Sequence, residues 1–449
     1  MKNLKKFINR LSAIQILVIG YVLVVTIIAF LLSLHISSAN GGKQPFLDSI
    51  FVATSGISTT GLTPVDIGNY YSLFGQMILL IDIQIGGLGY MALFIFLASL
   101  MQAKLSINIH CVASESVSGT TPGYNLKFFE RVALFTFIFE FIGGVILGFC
   151  WLEKFPPHKA FYFGFFHSIN AFCTAGFGLL PDSLISFSKN ITINLTIIFV
   201  SLIGGMGFYV INEFYMVIKK MINRQIRRKL SIHSRLAVIT TLTLVLIGTF
   251  IFLVSEKWDS NFRLPERVMI SLFQAVTAQT TDGYNTVDIG KISFTSLFML
   301  VALMFIGASP GSTGGGIKTT TAATIYLSCK SYILGQKDTN FKQRRFSEDA
   351  IKKALSILFL FLIVYAVDML ILTWVEIFQF HQIMFEIVSA LGNVGLSTGI
   401  TADLNNISKV FLIITMFIGR VGPLTVGFAL VGKRNHANFR YPEENIFVG

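Results

Sequence analysis

Four glycines, Gly61, Gly176, Gly283 and Gly395, stand 115, 107 and 112 residues apart and share a pattern of neighbours. Ten positions before each is a phenylalanine: Phe51, Phe166, Phe273 and Phe385. Six before is a small polar residue, Ser55, Asn170, Thr277 or Ser389. Two before is Thr59, Thr174, Thr281 or Asn393, and one before is Thr60, Ala175, Asp282 or Val394. One after is Leu62, Phe177, Tyr284 or Leu396. Such residues offer no nucleophile and no proton relay. What they offer is main chain. Glycine reaches positive φ and leaves no side chain in the way, and carbonyl oxygens can replace the hydration shell of a monovalent cation. The chemistry predicted is therefore coordination of K⁺ or Na⁺ by backbone at these four segments. No Ser/His/Asp or metal-ligand cluster accompanies them, so an enzyme is not expected, and no cofactor is expected in this chain beyond the ion itself.

The elements that must hold the glycines read as one unit repeated four times: span, short amphipathic segment, Gly-containing turn, span. The expected units are 1–105, 106–229, 230–345 and 346–449. The segments before the turns, 46–57, 161–172, 268–279 and 382–392, make roughly 17 Å of helix each, too short for a bilayer. They read as re-entrant half-helices, with a turn at membrane depth that is tolerated only where it is buried or lines water. Each would point its negative C-terminal end toward the ion path. Further on, every unit carries an Ile-Gly pair: Ile85-Gly86, Ile203-Gly204, Ile306-Gly307 and Ile418-Gly419. The glycines Gly86, Gly87, Gly89, Gly204, Gly205 and Gly207 read as sites of close helix packing.

Composition agrees. The 449 residues are 53% hydrophobic and 13% charged, against roughly 25% charged in soluble domains. This excludes a secreted disulfide scaffold, a nucleic-acid-binding domain and a large soluble catalytic domain, and the four cysteines read as reduced and incidental. The fold class expected is an all-α polytopic membrane protein whose first span, from Ile14 to Leu34, is a retained helix. Net charge is +12, and alternating spans from a cytoplasmic N-terminus put 24 of the 35 Lys and Arg on one side. By the positive-inside rule those loops and both termini are cytoplasmic, in a multi-pass protein of the cell membrane.

The segments Ser58-Thr59-Thr60-Gly61-Leu62-Thr63, Asn170–Phe177, Thr277–Thr286 and Ser389–Gly399, together with Gly307–Thr319, resemble the membrane subunit of the Trk/Ktr/HKT cation transporters, its bacterial Ktr branch above all. The resemblance covers nearly the whole chain. It implies four M1–P–M2 units around a central pore, a homodimer with one pore per protomer, and potassium conduction, often helped by sodium. It also implies control by a cytoplasmic ring of nucleotide-binding RCK subunits. The tail Tyr441–Gly449 resembles the Ktr C-terminus, which implies a place in the dimer contact. The third segment departs from the family: Asp282 stands where alanine is usual, and Gln279 where arginine is common. The Asp282 side chain could raise local cation concentration or alter ion preference, or it could turn away and pair with a neighbour.

Two cations fall inside the membrane, Lys318 and Arg420. The last span of the third unit, 294–327, is interrupted by Pro310 and by Gly311, Gly314, Gly315 and Gly316, which cost a helix about 1 kcal/mol per Gly and about 3 per Pro. We read Gly311, Ser312, Thr313, Gly314, Gly315 and Gly316 as a non-helical gate below the filter, with Lys318 at its cytoplasmic end; the resemblance implies the same role. It is not a phosphate-binding loop, since Ile317 separates Gly316 from Lys318 and no strand precedes it. The resemblance makes Arg420 a barrier that touches this loop; the alternative is an ion pair with Asp82, Glu140 or Asp368, mid-span acids that otherwise read as inter-helix hydrogen-bonding groups. A competing function is a Na⁺- or H⁺-coupled secondary transporter of another solute, but such folds use inverted repeats, and these repeats run in one orientation.

Overall fold

The computed structural model describes residues 13–89, 126–223, 230–260, 262–431 and 444. The basic N-terminal residues Lys2, Lys5, Lys6 and Arg10, the 224–229 run, Cys111 and the tail 441–449 (apart from Glu444) lie outside the described residues.

The described chain is helical, with one two-residue hairpin, Asn340–Phe341 with Arg344–Arg345. We name the main helices α1 (Ala13–Leu32), α2 (Phe46–Ile57), α3 (Leu73–Leu88), α4 (Leu126–Trp151), α5 (Pro157–Cys173), α6 (Ile191–Met206), α7 (Phe208–Ile222) and α8 (Ile232–Ser255). They continue as α9 (Leu264–Thr280), α10 (Phe294–Phe305), α11 (Thr319–Ile333), α12 (Glu348–Val375), α13 (Phe380–Gly392), α14 (Asn406–Val421) and α15 (Pro423–Val431). Three helices are long and apolar enough to cross a membrane by themselves, within α4, α8 and α12. Large apolar side chains are exposed along their outer faces, among them Phe141, Phe149, Leu246, Phe250, Leu370 and Trp374. An exposed apolar surface of this extent is stable only against lipid, so the chain is a membrane protein.

The short helices before the turns are α2, α5, α9 and α13, of 12, 17, 17 and 13 residues. Two of them start four residues earlier than expected, at Pro157 and Leu264, because Pro157 and Pro265 occupy the first turn, where a missing N–H costs nothing. At about 25 Å even the longer pair stays short of a full span.

The second helix of each unit departs further from expectation. Only the third was expected to be broken. Yet α3 ends at Gly89 (φ 77°), α6 gives way to α7 at Gly207 (φ 92°), and α14 to α15 at Gly422 (φ 89°). The α6–α7 bend is 99°. Gly89 and Gly207 thus end their helices, since positive φ cannot continue a helix; Gly207 is packed as well, against Pro310 O, whereas nothing lies close to Gly89. The other glycines of the pair are packed: a Cβ at Gly86 would meet Ile57 O, at Gly87 the Cys173 side chain, at Gly204 Phe172 O, and at Gly205 Thr280.

The helices pack in a cycle. The helix after each turn lies on a short helix that precedes another turn: α3 on α5, α6 on α9, α10 on α13, and α14 back on α2. The last contact holds a nearly buried ion pair, Lys409 Nζ to Asp48 Oδ1 at 2.7 Å. Of the mid-span acids, Glu140 accepts from Gln84 at 3.4 Å and Asp368 accepts from Thr415 Oγ1 at 2.5 Å, both across helices. Asp82 lies against Gly56 of α2, where a Cβ would meet its carboxyl group.

Candidate functional site

Each short helix ends in the same device. A residue at or just past its C-terminal end turns left-handed: Thr59 at φ 55°, Thr174 at 52°, Thr281 at 61° and Asn393 at 53°. The next N–H then reaches back five residues, Thr60 to Ser55 O (2.7 Å), Ala175 to Asn170 O (2.9 Å), Asp282 to Thr277 O (2.9 Å) and Val394 to Ser389 O (2.9 Å). This is a Schellman ending with threonine in three of the four places where glycine is usual. Left-handed backbone is a genuine outlier for a β-branched residue, so these positions hold strain against packing on all sides.

The strained turn sends the chain into the ring glycines, all at positive φ: 93°, 66°, 89° and 88° for Gly61, Gly176, Gly283 and Gly395. They meet in chain order around a circle. A Cβ at Gly61 would strike Ala175 O, at Gly176 Asp282 O, at Gly283 Val394 O, and at Gly395 Thr60 O. Each glycine is therefore pressed against the carbonyl that precedes the next one, and the last closes on the first. Serine hydroxyls brace two segments: Gly61 N–H donates to Ser55 Oγ (3.0 Å) and Gly395 N–H to Ser389 Oγ (3.1 Å). Tyr284 braces a third, donating its hydroxyl to Phe177 O at 2.8 Å, while the buried His167 stacks on its ring at 5.6 Å. Leu62, Phe177, Tyr284, Val394 and Leu396 are buried apolar or aromatic side chains packed in the core.

Beneath the ring lies the non-helical stretch 306–318 between α10 and α11. The four left-handed residues all meet it. Thr59 Oγ1 donates to Thr313 O (3.0 Å), and Thr174 Oγ1 to Thr313 Oγ1 (3.1 Å). Gly315 N–H donates to Thr281 Oγ1 (3.1 Å), and a Cβ at Gly315 would touch Asn393. Thr313 also donates its N–H to Gly204 O (3.3 Å) and its hydroxyl to Phe172 O (3.1 Å). Gly311 O accepts from Phe208 N–H at 2.8 Å, tying the loop to the start of α7. Two cations finish the arrangement. Lys318 Nζ donates to Gly314 O (2.6 Å) and Gly315 O (3.3 Å). Arg420 donates to Thr313 O and to Gly86 O. It forms no ion pair with Asp82, Glu140 or Asp368 among the described residues.

Residues 10–437 match the family model described as TrkH, cation transport protein. The chain belongs to the TrkH family. Within that family it is 34% identical to the Ktr system potassium uptake protein B of Bacillus subtilis, over 98% of this chain and 97% of that one. It is 31% identical to the potassium/sodium uptake protein NtpJ of Enterococcus hirae, over 99% of both chains. The crystal structure of the potassium transporter TrkH from Vibrio parahaemolyticus superposes with a TM-score of 0.66 at 20% identity, covering 92% of this chain and 84% of that one, and shares its fold.

For this TrkH-family chain the structure brings together Thr59 to Leu62, Thr174 to Phe177, Thr281 to Tyr284 and Asn393 to Leu396 around one centre, with 311–316, Lys318 and Arg420 directly adjoining. The Asp282 carboxyl group is buried and makes no hydrogen bond among the described residues, so of the two readings the pairing with a neighbour is not seen. Sequence reasoning missed the hydroxyl braces of Ser55 and Ser389, although their common offset from the glycines was plain. It also missed Asn393 Nδ2, which donates to Thr60 Oγ1 and Met416 O, both at 2.9 Å.

Proposed function

We propose that this chain is the ion-translocating subunit of a potassium uptake system, with Thr59–Leu62, Thr174–Phe177, Thr281–Tyr284 and Asn393–Leu396 as its selectivity filter. The observation that carries the reading is the closed circle of glycines and carbonyls. On this reading the main-chain oxygens of the four segments stand in for the water lost by an alkali cation. The names of the Ktr relatives support potassium as that ion, and the name of NtpJ supports sodium as a second.

The loop 311–316 acts as the gate. Seated under the ring on hydrogen bonds from the units around it, it obstructs the way to the cytoplasm. Lys318 and Arg420 place positive charge at the same level, which repels a cation that has left the filter. Withdrawal of the loop carries Thr313 away from Thr59, Thr174 and Arg420 and opens the path. A cytoplasmic RCK ring that binds nucleotide supplies the force for this movement, and the protein works as a homodimer in the cell membrane with both termini in the cytoplasm. ⁸⁶Rb⁺ and K⁺ uptake in a transport-deficient host, with and without such a partner, tests the proposal. Uptake that K⁺ competes for is expected; absence of alkali-cation flux under both conditions overturns it.

A further inference from the structure

The residues that precede the ring glycines are Thr60, Ala175, Asp282 and Val394, and their carbonyls are the ones that face the neighbouring glycine. Three of the four side chains are neutral. Asp282 is 1% exposed, and neither carboxyl oxygen has a hydrogen-bond partner among the described residues. The ion pairs of the described chain lie elsewhere, at Lys291–Asp288, Arg345–Asp338 and Lys409–Asp48. Nearby polar groups give it no relief. Thr277, which shares its Schellman turn, has an unpartnered hydroxyl; Gln279 Oε1 is an unpartnered acceptor; and the Tyr284 hydroxyl is committed to Phe177 O.

An unpaired buried carboxyl group is expensive, and an acid held at membrane depth marks an ion path more often than a packing need. Asp282 also supplies the ring carbonyl that is pressed against Gly176, and no cationic side chain pairs with its carboxyl group among the described residues. We propose that Asp282 is a specificity-determining residue of the filter. Its charge strengthens the anionic field on the side of the ring between the second and third units. Na⁺ holds water more tightly than K⁺, and a stronger anionic field offsets more of that dehydration. The ring of this chain therefore admits Na⁺ more readily, relative to K⁺, than a ring with four neutral residues would.

This rests on the pore reading above, and the experiment separates the two. ⁸⁶Rb⁺ uptake into proteoliposomes is measured against competing Na⁺ and K⁺ for the wild type, Asp282→Asn and Asp282→Ala. Alanine occupies the corresponding place in the second unit, at Ala175, so it suits this backbone. In both variants Na⁺ is expected to lose competitive strength against Rb⁺ uptake, relative to K⁺, by about fivefold or more. Unchanged competition in transporting variants overturns the inference and leaves the pore reading standing. Absence of Rb⁺ uptake by the wild type overturns both. For a variant that does not transport, protection of the purified protein against thermal unfolding by Na⁺ and by K⁺ is compared, and a Na⁺/K⁺ ratio equal to that of the wild type counts against Asp282. Rescue of wild-type competition by Asp282→Glu supports a charged role over a merely space-filling one.

Discussion

Thr59 and Thr313, 254 residues apart, share a hydrogen bond of 3.0 Å from the Thr59 hydroxyl to the Thr313 carbonyl. It joins the strained end of the first short helix to the centre of the loop beneath the ring. The same loop residue accepts from Arg420 and bonds to Gly204, Phe172 and Thr174. The ring segments and the loop are therefore joined by hydrogen bonds.

Thr313→Val removes the hydroxyl but keeps the shape. It loses the bonds to Phe172 O and Thr174 and takes a donor from the buried Phe172 carbonyl, at about 1–3 kcal/mol, while the Thr174 hydroxyl keeps Cys173 O as its acceptor. The loop should leave its seat more often, seen as a several-fold rise in partner-independent Rb⁺ leak from proteoliposomes. Leak equal to wild type in a folded variant would refute a latch at Thr313.

Arg420→Ala removes a donor to two carbonyls and, on the proposed reading, the positive charge that bars the ion path. Leak conductance should rise and resting affinity for the loop's closed position fall. Arg420→Lys keeps the charge without the two-pronged grip and should leak less than the alanine variant. The measurement is K⁺ efflux from loaded vesicles; equal flux in all three proteins would reject the barrier.

Ser389→Ala takes away the acceptor for the Gly395 N–H, at a cost of about 1 kcal/mol. Thr277→Val, in the third unit, removes a hydroxyl that has no partner and should leave stability unchanged. Melting temperatures in the presence of K⁺ should separate the two, with only the serine variant lowered. A drop of equal size in both would show that the hydroxyl brace is unimportant.

The ion pair of Asp48 and Lys409 closes the circle of helices. Lys409→Met alone leaves a nearly buried carboxylate unpaired and should destabilise by about 3–5 kcal/mol. Combining it with Asp48→Leu should recover most of that loss. Thermal unfolding of single and double variants gives the coupling, and strict additivity would argue against a direct pair.

The ring glycines were legible from sequence because their requirement is local: positive φ and no Cβ, at a fixed distance from the same neighbours. The loop 306–318 was legible for a similar reason, since Pro310 and four glycines cannot all sit in a helix. The left-handed Thr59, Thr174 and Thr281 were not. Threonine disfavours that conformation, so only the surrounding packing, which depends on residues hundreds of positions away, forces it. The breaks at Gly207 and Gly422 were hidden likewise. A glycine in an apolar run serves close packing and helix breaking equally well, and the choice falls to partners such as Pro310 O, against which Gly207 is pressed.

The contact of α14 with α2 has a consequence for biosynthesis. It joins Asp48 to a lysine made 361 residues later, so a ribosome-bound chain carrying three units has neither a closed circle nor its final guanidinium. Whatever folds earlier in the lipid lacks both the Val394–Gly395 segment that closes the ring and the Arg420 contact to the loop beneath it.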